Sequence, residues 1–264
     1  MPFLRPTELP RLMVAPNGAR RTKADHPEIP VTIAETVETA VACYEAGAGA
    51  MHFHVRDEDQ RHALDAGLYR EALAELEGAV PDMHLQVTTE AVQHYQPEQM
   101  RKLATELVPP GISIALTEMM PDRRPSAEDI LLYRMLFEAG TRVQHILFFP
   151  EDAQLLADLV AAADLPPDDL WCLFAIGHYS GRISHPDMIE PFTASLQSHA
   201  LVADWAICAF AEEENACLAA AVAQGGKIRV GFENSLFMPD GTIAPDNAAR
   251  VAAAKQLFEG VVVA

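Results

Sequence analysis

Eight short apolar runs, evenly spaced along the chain, constrain its fold more than any other feature. Each run is too short for a helix, and most carry β-branched or aromatic residues, so each predicts a buried β-strand. Their starts lie about 31 residues apart on average, which leaves room for one helix and two turns in every interval. Eight such units close into a (β/α)8, or TIM, barrel, and we expect residues 1–264 to form a single α/β domain of this type. The predicted strands are Arg11–Ala15, Gly49–His54, His84–Val87, Ile112–Leu116, Gln144–Phe149, Leu170–Ala175, Asp204–Cys208 and Lys227–Gly231.

Amphipathic stretches fill the gaps between these runs and predict one helix per gap. The first has a capping box, in which Thr32 precedes the helix and Glu35 follows three residues later. An open, doubly wound sheet is the alternative, but it needs no eight even steps, and no GxGxxG motif follows a predicted strand. The predicted helices are Thr32–Ala46, Leu68–Ala79, Pro97–Val108, Ser126–Ala139, Asp152–Ala163, Pro186–His199, Glu212–Gln224 and Asn247–Phe258.

The charge of the chain excludes several partners. Aspartate and glutamate outnumber lysine and arginine 38 to 19, which gives a formal net charge of −19. A nucleic-acid-binding protein needs a basic face, and an anionic membrane repels such a chain, so we expect neither partner. No apolar run is long enough to span a membrane, the first residues lack a signal-like apolar stretch, and the four cysteines form no CxxC pair. These features predict a cytoplasmic protein with reduced cysteines.

Two histidines at the end of the second predicted strand indicate a metal site. Side chains alternate along a strand, so His52 and His54 face the same way and, if Phe53 faces the helices, both point into the mouth of the barrel. Two imidazoles held at this spacing make half of a metal site. The alternative is that both histidines cap a layer of the core and bond to water or to the backbone.

Glu233 follows the eighth predicted strand and is the candidate for a third ligand. It shares its parity with Arg229 and Gly231, so its side chain can point inward at the same mouth. Alternate strands contribute to the same barrel layer, and strands two and eight are both even-numbered. A catalytic zinc site commonly has three protein ligands and one open position. The alternative is a solvated loop carboxylate.

Other strand ends carry polar side chains that suit a binding site. The first loop has three basic residues within four positions, which could receive a carboxylate or a phosphate, or could simply be solvated. His145 and His178, each taken alone, are more typical of structural residues than of ligands. The further polar residues near strand ends are Arg20, Arg21, Lys23, Arg56, Thr88, Thr89, Glu90, Thr117 and Glu118.

Three segments of the chain resemble the β-keto acid cleavage enzymes. They are PNGARRTKADHPEIPVT, AGAGAMHFHVRDEDQRHALD and RVGFENSLFMPDGTIAPDNAARV, in the same order as in that family. The resemblance implies a zinc-containing (β/α)8 barrel, in which another divalent metal could replace zinc, and a homo-oligomer, tetramer or dimer. It also implies a reaction in which a β-keto acid and acetyl-CoA give acetoacetate and a new acyl-CoA by Claisen-type carbon–carbon cleavage.

The resemblance also assigns roles to particular residues. His52, His54 and Glu233 match the metal ligands of the family. Arg229 matches an arginine that holds an acidic catalytic residue, and Thr88 falls where the family has a small hydroxyl residue near the substrate.

Three positions depart from the family pattern. Arg20 stands where the family often has a glutamate, which favours an anionic or neutral substrate tail, such as that of a dicarboxylic keto acid. Asn234 stands where the enzyme that cleaves 3-keto-5-aminohexanoate has an aspartate, and an amide cannot act as a general base. The seventh loop, Ala209–Glu214, lacks the Gly-Arg pair of many relatives, so how a CoA phosphate would bind is open.

The remaining candidates follow from the chemistry. Arg20, Arg56 and Arg229 could contact a carboxylate or CoA. Arg229, Asn234 and Glu118 are the candidate catalytic residues, and Glu118, Glu90 and Asp57 are the candidate general bases.

Two other functions stay open from sequence. A metal-dependent hydrolase would use a His-x-His pair with histidines such as His145 and His178, but those enzymes carry the pair on the first strand and an aspartate after the eighth. A non-catalytic barrel that binds a metabolite is the second alternative, favoured by Asn234 and the acidic seventh loop.

Overall fold

A computed structural model describes residues 8–177, 183–210 and 212–259 of the chain. Eight parallel strands form a closed barrel in sequential order, β1 to β8, and the (β/α)8 fold predicted from the sequence is confirmed. The strands are β1 Leu12–Val14, β2 Ala50–Phe53, β3 His84–Thr88, β4 Gly111–Ala115, β5 Arg142–Leu147, β6 Leu170–Ile176, β7 Ala203–Ala209 and β8 Lys227–Val230.

Helices connect the strands, as expected for βα units. They are α1 Ile33–Ala46, α2 Ala66–Ala79, α3 Pro97–Leu107, α4 Leu116–Met119, α5 Ala127–Glu138, α6 Asp152–Ala163, α7 Ile189–Ser198, α8 Glu214–Ala223 and α9 Asn247–Lys255. A 3-10 turn, Pro186–Met188, precedes α7, and another, Gln256–Phe258, follows α9. None of the helices in these described ranges has both the length and the apolar character that a membrane crossing requires.

The backbone contacts group into two compact units. One consists mainly of Gln86–Ala175 and Asp187–Trp205, and carries α3 to α7 with β4 to β6. The other contains Pro10–Leu85 and the segment that begins at Ala206, and carries β1, β2 and β8. That residues 1–264 form one domain stays a prediction.

The side chains of β2 point to the faces of the barrel that the sequence predicts. All four of its residues are buried. The ring of Phe53 lies 5.6 Å from that of Tyr69 in α2, so Phe53 faces the helices. Because alternate residues of a strand point to opposite faces, His52 and His54 face the barrel interior.

The main difference from the sequence prediction lies after β4. Leu116, predicted as the last residue of that strand, is the first residue of the short helix α4. A buried apolar residue fits both elements, so hydrophobicity alone could not separate them. The capping box of α1 is present: Thr32 accepts a hydrogen bond from the Glu35 backbone N–H, and the Glu35 carboxylate accepts one from that of Thr32.

All four cysteines are buried and have free thiols, as the sequence predicts. Burial raises the pKa of the Cys43 thiol to about 12, and the nearby Asp246 carboxylate adds to this shift. Such thiols are protonated near neutral pH and react slowly.

Candidate metal centre and active site

Three buried side chains converge where β2 and β8 end. The Nε2 atom of His52 lies 3.0 Å from Nε2 of His54. The Glu233 Oε2 atom lies 3.6 Å from Nε2 of His52 and 3.5 Å from Nε2 of His54. Across the described part of the chain, these three residues are the only group of three or more histidine, cysteine, aspartate or glutamate side chains positioned to hold a metal ion.

The spacing of these atoms suits a tetrahedral metal ion. Ligand atoms bound at about 2.0–2.1 Å in tetrahedral geometry lie about 3.3 Å apart. The observed separations of 3.0, 3.5 and 3.6 Å bracket that value. Two imidazoles and one carboxylate also form a donor set that zinc and several other divalent metals accept. The three residues therefore fit the metal that the family resemblance implies.

The charge states of the ligands also suit a metal. Burial raises the pKa of Glu233, but the Arg229 guanidinium and the neighbouring histidines outweigh this and hold the pKa well below its usual range. Burial lowers the pKa of His54 well below its ordinary value, more than Glu233 raises it. An ionised carboxylate and a neutral imidazole are the forms that bind metal.

Arg229 fixes the orientation of Glu233. Its Nη2 atom donates a hydrogen bond to Oε1 of Glu233 at 2.9 Å and lies 3.5 Å from the Cys208 sulfur. Because Oε1 is held by this bond, Oε2 is the oxygen that faces the histidines. Arg229 thus holds the carboxylate of a candidate metal ligand. That Arg229 holds an acidic catalytic residue, as the family resemblance implies, stays a prediction.

The loop after β1 holds the backbone of His54 in place. The Asn17 side-chain amide donates to the backbone oxygens of His54 at 2.8 Å and Pro30 at 3.0 Å. Its Oδ1 atom accepts a hydrogen bond from the backbone N–H of His54 at 3.2 Å. Both N–H donors and the oxygen of one buried amide are thus used, and two of the three bonds hold the backbone of a candidate ligand.

The same loop packs directly against Glu233. Gly18 has φ of +61°, and a Cβ atom built on it would lie 2.5 Å from Cγ of Glu233. Only glycine combines this backbone conformation with so close an approach. The methylene groups of the Glu233 side chain are therefore confined on one side by backbone.

The seam between β1 and β8 positions the start of the Glu233 loop. The Ala15 backbone N–H donates to the Val230 oxygen at 2.7 Å, and that of Glu233 donates to the Ala15 oxygen at 3.0 Å. Between them, Gly231 has φ of +132°, and an added Cβ would clash with the Ala15 carbonyl. Glycine allows the two strands to approach this closely.

In the structure, Arg56 contacts backbone oxygens of two loops. Its guanidinium is buried and donates to the backbone oxygens of Gln60 at 2.8 Å and Arg21 at 2.9 Å, and to that of Gly18. These bonds tie the β2 loop to the β1 loop. A role of Arg56 in binding substrate stays a prediction. Arg20 lies exposed in the β1 loop.

Asn234 is buried beside Glu233, with 1% of its surface exposed. Within the residues that the structure describes, neither its amide oxygen nor its amide nitrogen has a hydrogen-bond partner. A buried amide with both polar atoms available is costly unless something binds it. This observation fits a contact between Asn234 and a ligand.

The other predicted site residues make hydrogen bonds with backbone groups. Thr88, the last residue of β3, accepts a hydrogen bond on its hydroxyl from the Glu90 backbone N–H at 2.9 Å. Glu118 in α4 accepts one from the Ala91 backbone N–H at 3.0 Å. Asp57 is exposed and accepts bonds from backbone N–H groups of its own turn. Their catalytic or substrate-binding roles stay predictions.

His145, the candidate that a hydrolase would require, faces the helices. Its ring stacks on that of Tyr133 in α5, with centroids 5.6 Å apart and planes 9° apart. His145 is not among the residues that could hold a metal. His178, the other such candidate, lies outside the described residues.

Sequence reasoning missed several residues that shape this site. The structure adds Asn17, Gly18 and His62, whose Nδ1 atom lies 3.4 Å from Nδ1 of His54. All three are in loops, where no periodic pattern marks the direction of a side chain. The available signals were the Asn17-Gly18 pair, which is typical of a turn, and the third histidine ten residues after His52.

A barrel with a buried two-histidine, one-carboxylate centre at the carboxyl ends of its strands belongs to the class of barrels that could carry a catalytic metal. The sequence pattern of the beta-keto acid cleavage enzymes matches residues 11–262, so this chain belongs to that family.

Two curated relatives cover most of the chain. The 3-oxoadipate:acetyl-CoA acetyltransferase of Cupriavidus necator is 26% identical and covers 94% of this chain and 88% of its own length. The 3-keto-5-aminohexanoate cleavage enzyme of Fusobacterium nucleatum is 21% identical, with 89% and 85% covered. Relatives of this chain are thus named as acetyl-CoA transferases and as a keto acid cleavage enzyme.

A solved structure shares the fold. ObcA in its binary complex with oxaloacetate has a TM-score of 0.72 and 15% sequence identity to this chain. The match covers 89% of this chain but 64% of ObcA, so this chain spans less than two thirds of the length of ObcA. At this identity the likeness shows the fold alone.

Proposed function

We propose that this protein transfers the acyl group of a β-keto acid to CoA in a zinc-dependent reaction. A β-keto acid and acetyl-CoA would give acetoacetate and a new acyl-CoA. The carbon–carbon bond between the acyl group and the CH2–carboxylate part of the keto acid breaks, and a bond from that CH2 carbon to the acetyl carbonyl carbon forms. The thioester C–S bond of acetyl-CoA breaks, and the released CoA sulfur forms the new thioester bond with the acyl group. Family membership supports the reaction class, and the buried His52, His54 and Glu233 cluster is the observation that carries the metal dependence.

A bound divalent metal would act as a Lewis acid on the keto oxygen and the neighbouring carboxylate. The residues of the chain prepare the site for it. Arg229 holds Oε1 of Glu233, which keeps the carboxylate ionised and turns Oε2 toward His52 and His54. Burial of all three ligands excludes competing water, which strengthens electrostatic interactions at the reacting atoms.

Asn234 would bind the substrate rather than act as a base. Its buried amide has both a donor and an acceptor without a partner among the described residues. A substrate oxygen could accept from the amide N–H, which would orient the keto acid beside Glu233. Asn234 cannot take a proton, so Glu118, Glu90 and Asp57 stay the candidates for the general base.

We propose that the keto acid carries an anionic tail. Arg20 is exposed in the β1 loop, and Gly18 of the same loop packs on Glu233. Arg20 therefore adds a positive charge to the loop that contacts Glu233. The relative from Cupriavidus necator, whose name specifies 3-oxoadipate, gives this substrate class a precedent within similar proteins. A homo-oligomer and a cytoplasmic location stay predictions.

The first experiment combines metal analysis with turnover. Purified protein should contain about one zinc ion per chain, and His52→Ala and Glu233→Gln should both lose it, because each removes one of three ligands. Glu213→Gln, which changes an exposed glutamate, is the matched control and should retain zinc. Wild-type protein is then incubated with acetyl-CoA and a panel of dicarboxylic, neutral and amino-substituted β-keto acids, and acetoacetate and new acyl-CoA are measured by mass spectrometry.

The dicarboxylic substrate should react best, and Arg20→Glu should raise its KM about tenfold while changing a neutral substrate little. Zinc retained in Glu233→Gln would contradict the proposed ligand set. Cleavage of a substrate without acetyl-CoA would favour the hydrolase, and tight binding with no turnover of any pair would favour a non-catalytic barrel.

A further inference from the structure

We propose that His62 is a positioning residue for the metal centre: its Nδ1 atom accepts a hydrogen bond from the Nδ1–H of His54, which keeps the His54 Nε2 lone pair directed toward the metal. This inference rests on the proposed metal centre, and it assigns a role to a residue outside the three ligands.

The two ring nitrogens of His54 face different partners: Nε2 faces the other candidate ligands, and Nδ1 faces His62. Its Nε2 atom faces His52 Nε2 at 3.0 Å and Glu233 Oε2 at 3.5 Å, so Nε2 is the atom available to a metal. Its Nδ1 atom lies 3.4 Å from Nδ1 of His62, and the two ring centroids are 4.9 Å apart. A neutral imidazole has one N–H and one lone pair. If Nε2 gives its lone pair to a metal, the proton is on Nδ1 and points to His62.

The loop that carries His62 is tightly constrained. His62 forms an isolated antiparallel bridge with Arg56, and the Ala63 backbone N–H donates to the Val55 oxygen at 3.2 Å. At the tip of the loop, Oδ1 of Asp57 accepts from the backbone N–H of Arg61 at 2.8 Å. The ring of His62 is therefore delivered by a short, hydrogen-bonded loop.

Arg56 fastens this loop to the rest of the site. Its guanidinium binds the Gln60 oxygen at the loop tip and the oxygens of Gly18 and Arg21 in the β1 loop. A continuous set of hydrogen bonds thus runs from the loop beside Glu233, through Arg56, to the loop that carries His62. We infer that the buried Arg56 contributes to the metal centre by holding His62 in place.

A partner at this position matters because a metal-ligating histidine almost always donates its second N–H to a fixed acceptor. Carboxylates, backbone oxygens and water usually fill that role. Here an imidazole nitrogen of His62 lies within hydrogen-bond distance, and both rings are buried, with 1% of His54 and 7% of His62 exposed. Removing such a partner commonly lowers metal affinity 10- to 100-fold.

The test measures zinc affinity by competition with a chromophoric chelator. His62→Phe keeps a ring of similar size but removes the acceptor, and should weaken zinc binding about 10- to 100-fold. His62→Asn places an acceptor oxygen close to the position of Nδ1 and should stay within about threefold of wild type. His199→Phe, the same substitution at the end of α7, is the control and should leave zinc affinity unchanged.

Two further readouts separate positioning from general stability. The thermal midpoints of the metal-free His62→Phe and His62→Asn proteins should agree within a few degrees, although their zinc affinities differ. In zinc-loaded wild-type protein, nitrogen-15 NMR of the histidine rings should show His54 protonated at Nδ1, which needs no variant.

Three results would overturn the inference. Zinc affinity of His62→Phe equal to wild type would remove His62 from the centre and leave the proposed metal site intact. Equal losses in His62→Phe and His62→Asn would show that the acceptor is not what matters. Wild-type protein that binds no divalent metal would overturn the proposed centre itself and this inference with it.

Discussion

Histidines on two strands of the same barrel lie in opposite environments. His52 and His54, at the end of β2, meet a carboxylate, and Asn17 binds the backbone of His54. His145, within β5, is equally buried, yet it stacks on Tyr133 and its Nδ1 atom has no hydrogen-bond partner among the described residues.

The difference shows what turns a barrel histidine into a candidate ligand. The β2 histidines and His145 are all buried on or next to a strand, so neither burial nor a place on a strand determines which histidine becomes a candidate ligand. The parity of the residue selects the interior or the helical face. The loops at the strand end then supply hydrogen bonds that hold the histidine backbone, as Asn17 does for His54. His145 lies on a strand, but its side chain faces the helices and its Nδ1 atom has no hydrogen-bond partner among the described residues.

The largest effect should come from filling the space between the β1 loop and Glu233. Gly18→Ala would place a methyl group 2.5 Å from Cγ of Glu233 and would force alanine to adopt a φ of +61°. We expect zinc affinity to fall at least tenfold and the free energy of unfolding to fall by about 3 kcal/mol, from left-handed strain and overpacking together. Chelator competition and urea unfolding measure the two quantities.

Gly241→Ala is the matched control for this change. Gly241 has φ of +84°, and a Cβ atom there would meet nothing within 4 Å. It should show only the backbone strain, about 1–2 kcal/mol, with normal zinc affinity. Equal zinc affinities in the two variants would mean that the β1 loop does not confine Glu233.

A smaller effect is expected from removing the amide that holds His54. Asn17→Ala leaves the backbone groups of His54 and the oxygen of Pro30 without their buried partner. We expect the free energy of unfolding to fall by about 2 kcal/mol, with a measurable loss of zinc affinity. Asn215→Ala, at a half-buried asparagine of α8, should change neither quantity by much. Unchanged zinc affinity in Asn17→Ala would show that hydrogen bonds from the loop are not what distinguishes His54 at the end of β2 from His145 in β5.

At neutral pH the smallest effect is expected at His145, because its contribution becomes visible only as a pH dependence. Burial lowers the pKa of His145 from 6.5 to about 3. As the pH falls below 6.5, the unfolded chain takes up a proton at this residue before the folded protein does. The contribution to stability is therefore complete above pH 6.5 and is lost as the pH falls toward 3, with a slope of at most about 1.4 kcal/mol per pH unit.

His145→Phe isolates this contribution because it retains a ring to stack on Tyr133. Between pH 7 and pH 5, urea unfolding should show a flatter pH dependence for the variant than for wild type, with zinc content unchanged. Identical slopes would indicate that His145 is not held neutral in the folded protein.

The fold and the metal cluster could be predicted because both follow from periodic patterns. Even spacing gave eight strands, and parity placed His52, His54 and Glu233 on the interior face. Loop residues have no such pattern, so the roles of Asn17 and Gly18 appeared only when hydrogen bonds and φ angles were known.

Two further residues show where sequence reasoning stopped. Leu116 suited a buried strand, but the strand ends one residue earlier and a helical turn begins. The sequence makes Arg56 a candidate for contacts with a carboxylate or CoA, a role that stays a prediction. In the structure, its guanidinium donates to four backbone oxygens, and these contacts depend on how two loops far apart in sequence meet.

The hydrogen bond from Glu233 to the Ala15 carbonyl has a consequence for synthesis on the ribosome. The histidine pair emerges early, whereas the carboxylate emerges long afterwards and is placed only when β8 joins β1. A nascent chain therefore cannot hold the ion with all three ligands until the ring of strands is complete. A metal bound by all three ligands would stabilise only the complete, closed barrel. Binding of the metal through Glu233 would therefore depend on both the end of synthesis and the pairing of β8 with β1.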